Sequence, residues 1–426
     1  MPLRAAGSPG LVGSEVEMSG PMAGVRVLEV AQYTFVPAAG AVLADWGAEV
    51  VKVEHAERGD AQRGIVKMLG NDAYSKGSSF VPMLEGPNRG KRSIGLALDN
   101  PASRPVFEEL VRRSDVFLTN YLPSARAKLG LDLKDVRAIN PEIVYVRGSG
   151  FGARGPEADK GGYDSTAFWA RGGSAAGVTA PGADRMSRMP AGAYGDSMGG
   201  MTIAGGIAAA LFRRASTGET SIVDVSLLGV GAWATQMTVN LALMAGGPVP
   251  VNRPRHGSAS NPLSGSYRTS DGRWIELTML QPGKYWPVFC AAAGRAELAV
   301  DERFDTTAKI MANAVEAGAL VAEIMAGRTF AEWCEILGGS SGQWGAVQNS
   351  WEVGQDPALR ANGFIAPVTD AEGVVRELVT NPVQFDETPP ELTRAPHFAE
   401  HTDEVLRELG LTDDELIELK ISGAAT

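Results

Sequence analysis

Cysteine is almost absent: Cys290 and Cys334 are the only two in 426 residues. They have neither a CxxC spacing nor the density of a disulfide framework, which argues against a structural zinc site or a disulfide scaffold and for a reducing cytoplasm. Basic residues are outnumbered, 39 Lys and Arg against 50 Asp and Glu, for a net charge of −11. That balance argues against a nucleic-acid partner, so any anionic ligand must be met by a local cluster of cations. No uninterrupted apolar run reaches the ~18 residues of a membrane span. Gly and Arg break up Met201 to Ala215, and Asp224, Gln236 and Asn240 interrupt Val223 to Ala245. Both stretches read as buried or interface helices, and no membrane partner is expected. Residues 1–19 carry one Arg and no apolar stretch of signal-peptide length, so they read as a flexible tail, with Met18 an alternative start. No internal repeat or low-complexity tract is evident.

What remains is an ordinary globular composition, 44% hydrophobic and 21% charged, on a chain longer than one core usually supports. Two domains are expected. Val25 to Val30, Ala38 to Trp46 and Glu49 to Glu54 read as strand, helix, strand. The alternation continues through a strand at Arg92 to Leu98, a helix at Ala102 to Arg113, and strands at Asp115 to Asn120 and Ile143 to Arg147. This pattern predicts an α/β fold with a Rossmann-like large domain, a parallel sheet covered by helices on both faces. The GxGxxG of a dinucleotide site is missing, since the first strand is followed by Ala31-Gln-Tyr-Thr-Phe-Val-Pro37. Val223 to Met244 reads as one long apolar helix, followed by a Gly/Pro linker over Gly246 to Pro262.

A smaller α+β domain comes next. A hairpin over Ser264 to Leu280 turns at Ser270-Asp-Gly272, and helices follow at Lys284 to Gly294, Ala308 to Ala326 and Thr329 to Leu337. A second hairpin turns at Glu372-Gly373, and a helix pair over Thr402 to Lys420 closes the chain. The expected segments are 20–225 for the first part of the large domain, 226–262 for the long helix and linker, 263–345 for the small domain, and 346–426 for a return that completes the large one.

Asp196 is the residue of most chemical interest. It stands where the Gly- and Pro-containing stretch Met189 to Gly195 gives way to the small, apolar run Met198 to Phe212, so its carboxylate is expected at the start of a helix. There the unpaired N–H groups and the dipole would keep it ionised. The simplest reading is an N-cap. Three chemical readings compete with it. Gly195-Asp-Ser-Met-Gly199 fits GxSxG, with His256, His397 and His401 downstream, but a nucleophile elbow needs a buried strand before the turn and Ser187 to Ala193 cannot supply one. Asp196 as a nucleophile toward an acyl thioester would need no metal and no redox cofactor. Acid/base work beside a thioester carbonyl would need a second titratable group opposite it. Phosphates on such a ligand would look for cations, and Asn88-Arg-Gly-Lys-Arg92, Arg126 and Lys128 lie near predicted strand ends.

These blocks carry a resemblance. Gly20 to Glu29, Leu43 to Glu54 with Gly59-Asp60 and Arg63, Asn88 to Ile94, Asp115 to Asn120, Gly148 to Asp164, Gly195-Asp196, Val223 to Leu228, Asp271-Gly272 and His401 to Leu406 closely resemble class III (CaiB/BaiF-type) CoA-transferases, in order, over about residues 20–420. The resemblance implies that Asp196 is the catalytic aspartate, and that acyl-CoA and a small carboxylic acid are substrates, with no tightly bound cofactor. It implies CoA contacts at His55, Leu96, Asp99, Asn120, Tyr121 and Lys128, and in the loop Gly161, Tyr163 and Asp164. An interlocked homodimer is implied as well. Thr34 stands where relatives often carry an amide, and Arg255 to Asn261 holds fewer glycines than the family's loop. The racemase branch places a His before the residue matching Asp164; this chain has Tyr163, whose ordinary pKa of ~10 suits two-base chemistry poorly. Transfer is favoured, with a racemase-like enzyme or a non-catalytic acyl-CoA-binding relative as alternatives. Phe168, Trp169 and Met186 hint at a bulky apolar acyl group.

Overall fold

Six strands form one parallel sheet: β1 (Arg26–Val30), β2 (Glu49–Glu54), β3 (Arg92–Gly95), β4 (Val116–Thr119), β5 (Val144–Ser149) and β6 (Ile222–Ser226), in the order β3-β2-β1-β4-β5-β6. The computed structural model describes residues 20–65, 67–68, 71–72, 78–249 and 256–426. The expected tail, the alternative start and residues 250–255 of the linker lie outside them. The inner strands are buried on both faces, which is why they read in sequence as runs rich in Val, Leu and Phe, broken inside β1 and β2 only by the buried Glu29 and Lys52. One face carries α1 (Phe35–Asp45) and α7 (Tyr194–Thr217); the other carries α3 (Arg104–Arg113) and the C-terminal pair Thr402–Glu408 and Asp413–Ile421. The strand order reverses between β1 and β4, so the crevice outside their carboxyl ends is where this topology places a ligand.

Glycines set how closely the layers approach. A Cβ on Gly199 would sit 2.3 Å from the Phe35 ring, and one on Gly200 2.5 Å from the Ala38 Cβ. With no side chain at either position, α7 lies directly on α1, and its first turn is brought to the end of β1. The first helix starts at Phe35 rather than Ala38, with Pro37 in the first turn, where its missing N–H has no intrahelical role to fill.

The expected single helix over Val223 to Met244 is corrected. Residues 222–226 alternate and pair parallel with β5, Arg147 grips Asp224 through two hydrogen bonds of 2.6 and 2.8 Å, and Ser226 caps the next helix by accepting from the Gly229 N–H. The helical part then breaks at Thr235 into α8 (Leu227–Ala234) and α9 (Gln236–Ala245), bent by 78°. Thr235 turns its hydroxyl to the Gly172 carbonyl at 2.8 Å. An apolar run alone does not separate a buried strand from a helix. No single helix among the described residues is long and apolar enough to cross a membrane.

The larger of two compact units takes the chain to Met244 and resumes at Ala358–Thr426; the smaller is Ala245–Pro357. In the larger unit the return segment supplies a hairpin, Ile365–Thr369 with Val375–Val379, and its last residues edge the sheet, the Ala97 N–H donating to the Ala424 carbonyl at 2.9 Å. The smaller unit holds a three-stranded antiparallel sheet, Ser264–Arg268, Trp274–Thr278 and Trp344–Ala346, around Trp286, Phe289 and Trp333. Its expected helix over Ala308 to Ala326 is interrupted at Asn313, whose amide donates to the Arg303 carbonyl.

Candidate active site

Ala193, in the left-handed conformation at φ 59°, turns the chain into α7, and Asp196 is the third helical residue. The N-cap reading is therefore corrected: Ala193 holds the cap position, and Asp196 lies three residues beyond it, inside the first turn. Gly195 is pressed so closely on Phe168 that a Cβ would come within 2.4 Å of the ring. Asp196 is half-buried, and burial first, then the charge of Asp164, push its pKa up to about 7. This reverses the expectation that the helix terminus keeps it ionised. A first-turn dipole contributes about 0.3–1 kcal/mol, and desolvation of a carboxylate outweighs it here.

Asp164 opens a π-helical segment, Asp164–Ala170, and is itself buried. Burial raises its pKa too, while the backbone N–H groups of Ser165 and of residues 193–195 oppose the rise. Its Oδ2 has no hydrogen-bond partner among the described residues. Two carboxyl groups thus share the start of α7.

Two cavities follow the crevice. One of about 430 Å³ is lined by Asp196 with Tyr33, Asn120, Tyr121, Gly161 and Tyr163. The other, about 420 Å³, is lined by His55, Leu96, Asp99, Tyr121 and Lys128, and by Arg58, which the sequence reading did not single out. Gln32, Tyr121 and Ala125 line both, so the two run on from one another. Of the catalytic and CoA-contact residues that the resemblance implies, Asp164 alone lines neither. Leu96 is a core residue that shows one edge to the cavity. Asn120 stands beside Asp196's cavity, but both ends of its amide are committed to Gln32: Oδ1 accepts from the backbone N–H at 3.1 Å and Nδ2 donates to the carbonyl at 2.6 Å. It staples β1 to β4 where the strand order reverses.

The cationic cluster is a second correction. Arg89 is bound to Asp45, Lys91 to Glu29, Arg92 to Glu49, Glu404 and Glu408, Arg63 to Glu54, and Arg126 to Asp132. Most of these acids are distant in sequence. Lys128 and Arg58 are exposed and have no ion-pair partner among the described residues, so they are the cations left for an anionic ligand. Burial pulls Lys91 down to about 8 against the attraction of Glu29.

That buried network holds the turn after β1. Lys52 bridges Glu29 at 3.3 Å and Asp60 at 2.7 Å, and Asp60 accepts from the Tyr33 N–H at 3.0 Å. Tyr33 needs the hold, since its φ of 64° is a left-handed conformation costly for a tyrosine. Its ring meets Tyr163 edge-on at 5.7 Å. The hydrolase reading finds no elbow: Ser197 is exposed on a helix that follows a turn and not a strand, and the His401 Nδ1 accepts from the Ser93 N–H. Phe168 and Trp169 are buried in the core and Met186 is exposed, so none of the three lines a cavity with Asp196.

A third cavity, about 610 Å³, lies across the first turn of α7, lined by Ala193, Ser197, Met198 and Met201, with Thr34 and Met83 opposite. The arrangement is a partly desolvated carboxylate at a partition, with a cation-rimmed crevice on one side and a largely apolar cavity on the other.

The model of CoA-transferase family III matches residues 22–402. The chain is 30% identical to (R)-2-hydroxy-4-methylpentanoate CoA-transferase of Clostridioides difficile over 400 residues, 94% of this chain and 98% of that one. It is 31% identical to cinnamoyl-CoA:phenyllactate CoA-transferase of Clostridium sporogenes over 402 residues, 93% and 95% of the two chains. A crystal structure of a CAIB/BAIF family protein from Brucella suis superimposes with a TM-score of 0.77 at 27% identity, covering 92% of this chain and 99% of that one.

Proposed function

The chain belongs to CoA-transferase family III and is a CoA-transferase; from that premise we propose that it moves CoA from an acyl-CoA to a free carboxylic acid through covalent intermediates on Asp196. The observation that carries the reading is the Asp196 carboxyl, partly desolvated and facing a cavity continuous with a cation-rimmed crevice. A carboxylate stripped of part of its water is a stronger nucleophile, and with a pKa of about 7 roughly half of it is ionised at neutral pH.

Asp196 attacks the thioester carbonyl, the C–S bond breaks, and a mixed anhydride and the CoA thiolate result. The thiolate attacks the aspartyl carbonyl, releasing the first acid and leaving an aspartyl-CoA thioester. The second acid's carboxylate displaces the thiolate to form a new anhydride. The thiolate then takes the new acyl group and Asp196 leaves as carboxylate. No proton or electron is gained or lost over the cycle. Lys128 and Arg58 would meet the phosphates, and the pantetheine arm would pass Gln32 and Tyr121 to reach Asp196. In this reading CoA is a substrate that enters and leaves, and no tightly bound cofactor takes part.

This sequence of steps predicts where oxygen goes. An acceptor acid carrying heavy oxygen in its carboxylate leaves one labelled oxygen in the Asp196 side chain per turnover, readable in the peptide mass. Direct transfer between the two substrates would leave Asp196 unlabelled and would overturn the reading.

We propose a homodimer, interlocked as the resemblance implies. Support comes from α9, which has no buried residue, and from Trp233, Met237 and Met244, exposed by 71%, 81% and 81%. So much exposed apolar surface calls for a partner.

A further inference from the structure

We propose that the third cavity receives the hydrocarbon tail of the acyl group, so that the enzyme takes monocarboxylates with branched or aryl-sized apolar tails and rejects dicarboxylates. This rests on transfer at Asp196. The position follows from the first turn of α7. Asp196 faces the crevice, while Ala193 and Ser197, one turn apart on the neighbouring face, line the cavity; likewise Tyr33 lines the former and Thr34 the latter. The two spaces share no lining residue and are divided by the first turn of α7 and by Tyr33–Thr34, so the tail of an acyl group held at Asp196 must cross at that edge while the CoA arm stays in the crevice.

The walls define the chemistry. Met83, Met198, Met201 and Val42 form an apolar lining that can repack around tails of different shape. A volume of about 610 Å³ is within the range of sites that enclose small organic ligands. Apart from the exposed Ser197 hydroxyl, the polar side chains of the lining are already occupied. Gln62 accepts from the Thr34 hydroxyl at 3.2 Å and donates to the Met83 carbonyl at 2.6 Å, and Asn381 donates to Asp45 at 3.0 Å. Arg89 is the one cation among the described lining residues, and Asp45 holds it with bonds of 2.6 and 2.9 Å. A second carboxylate placed here would lose its water and find no free cation, a loss that binding at the first carboxylate cannot repair.

The test compares hexanoate, 4-methylpentanoate and 3-phenylpropanoate with acetate and glutarate as acceptors. Each buried methylene is expected to raise kcat/KM about fourfold, and glutarate to fall about a hundredfold below hexanoate. Gly86 lines the cavity, and a Cβ there meets nothing within 4 Å, so Gly86→Phe fills the space with the fold intact. It should lower the hexanoate-to-acetate ratio of kcat/KM at least about tenfold, with unfolding temperature as the fold control. Binding is read separately from turnover by methyl-labelled methionine NMR. Hexanoate should shift the resonances of Met83, Met198 and Met201 in the parent protein and not in Gly86→Phe. Shifts without exchange of any acid would sustain the pocket and defeat the transfer chemistry. Glutarate exchanging as well as hexanoate, or methionine resonances that hexanoate leaves in place, would overturn the pocket.

Discussion

Asp164→Asn isolates one of the two causes that raise Asp196. The parent Asp196 sits at about 7, lifted first by burial and second by the negative charge of Asp164. Removing the smaller cause should lower it by about one pH unit, the scale expected of a like charge in a shared, partly dry site. Only ionised Asp196 attacks, so kcat/KM rises with pH through this value, and the substitution should move the rise to lower pH. At about pH 6 the ionised fraction would go from roughly one tenth to roughly one half, a gain of about fivefold, while above about pH 8 the two proteins should converge. The profile of kcat/KM for exchange, taken from about pH 5 to pH 9 with saturation checked at each point, reads this directly. Because coupled carboxyls titrate as a pair, the midpoint should be compared between the proteins and not assigned to one residue. A rise that stays at the parent pH, or moves higher, in a protein with unchanged unfolding would refute the electrostatic account. Should the variant turn over too slowly to follow, the pH dependence of carbodiimide labelling at Asp196 gives the same midpoint.

The same shift has a cost in stability. The folded-state pKa of Asp196 lies above the ordinary carboxylate value, so the fold favours the protonated form and loses stability as pH rises from about 4 to about 7. Asp196→Asn should therefore be more stable than the parent by about 2–4 kcal/mol at about pH 8 and no more stable at about pH 4, measured by denaturant unfolding at both values. Lys128→Ala and Arg58→Ala should each raise KM for acyl-CoA about three- to tenfold with kcat little changed, and the effect should shrink in high salt; a loss confined to kcat would place these cations elsewhere in the cycle. Differently tagged pools of the protein, mixed under native conditions, should stay unmixed for hours if the subunits interlock, and rapid formation of hetero-tagged dimers would exclude that arrangement.

The sheet could be read from the sequence because buried parallel strands are written as short, mostly apolar runs: Val27 and Leu28, Val50 and Val51 with Val53, Val116 to Leu118. The sixth strand was hidden by its own composition, since Val223 and Val225 run straight into the apolar helix that Ser226 caps. Asp196 stood out by its place before a small, apolar run, and its neighbours in the crevice came from the resemblance. What the sequence could not show was pairing. Arg89, Lys91 and Arg92 look like an anion site until Asp45, Glu29 and Glu404 are seen against them, and Arg58 looks ordinary until it is left over. The sign of the Asp196 shift was hidden for the same reason. A helix terminus is visible in sequence, whereas the burial beneath Gly195 and the approach of Asp164, 32 residues earlier, are properties of packing.

Intact mass of the protein incubated with acyl-CoA and no acceptor tests the central claim most directly. A CoA adduct on the peptide containing Asp196, removed by hydroxylamine, absent from Asp196→Ala and accompanied by loss of exchange in that variant, is the predicted result. An adduct on Ser197, or exchange that persists in Asp196→Ala, would contradict it.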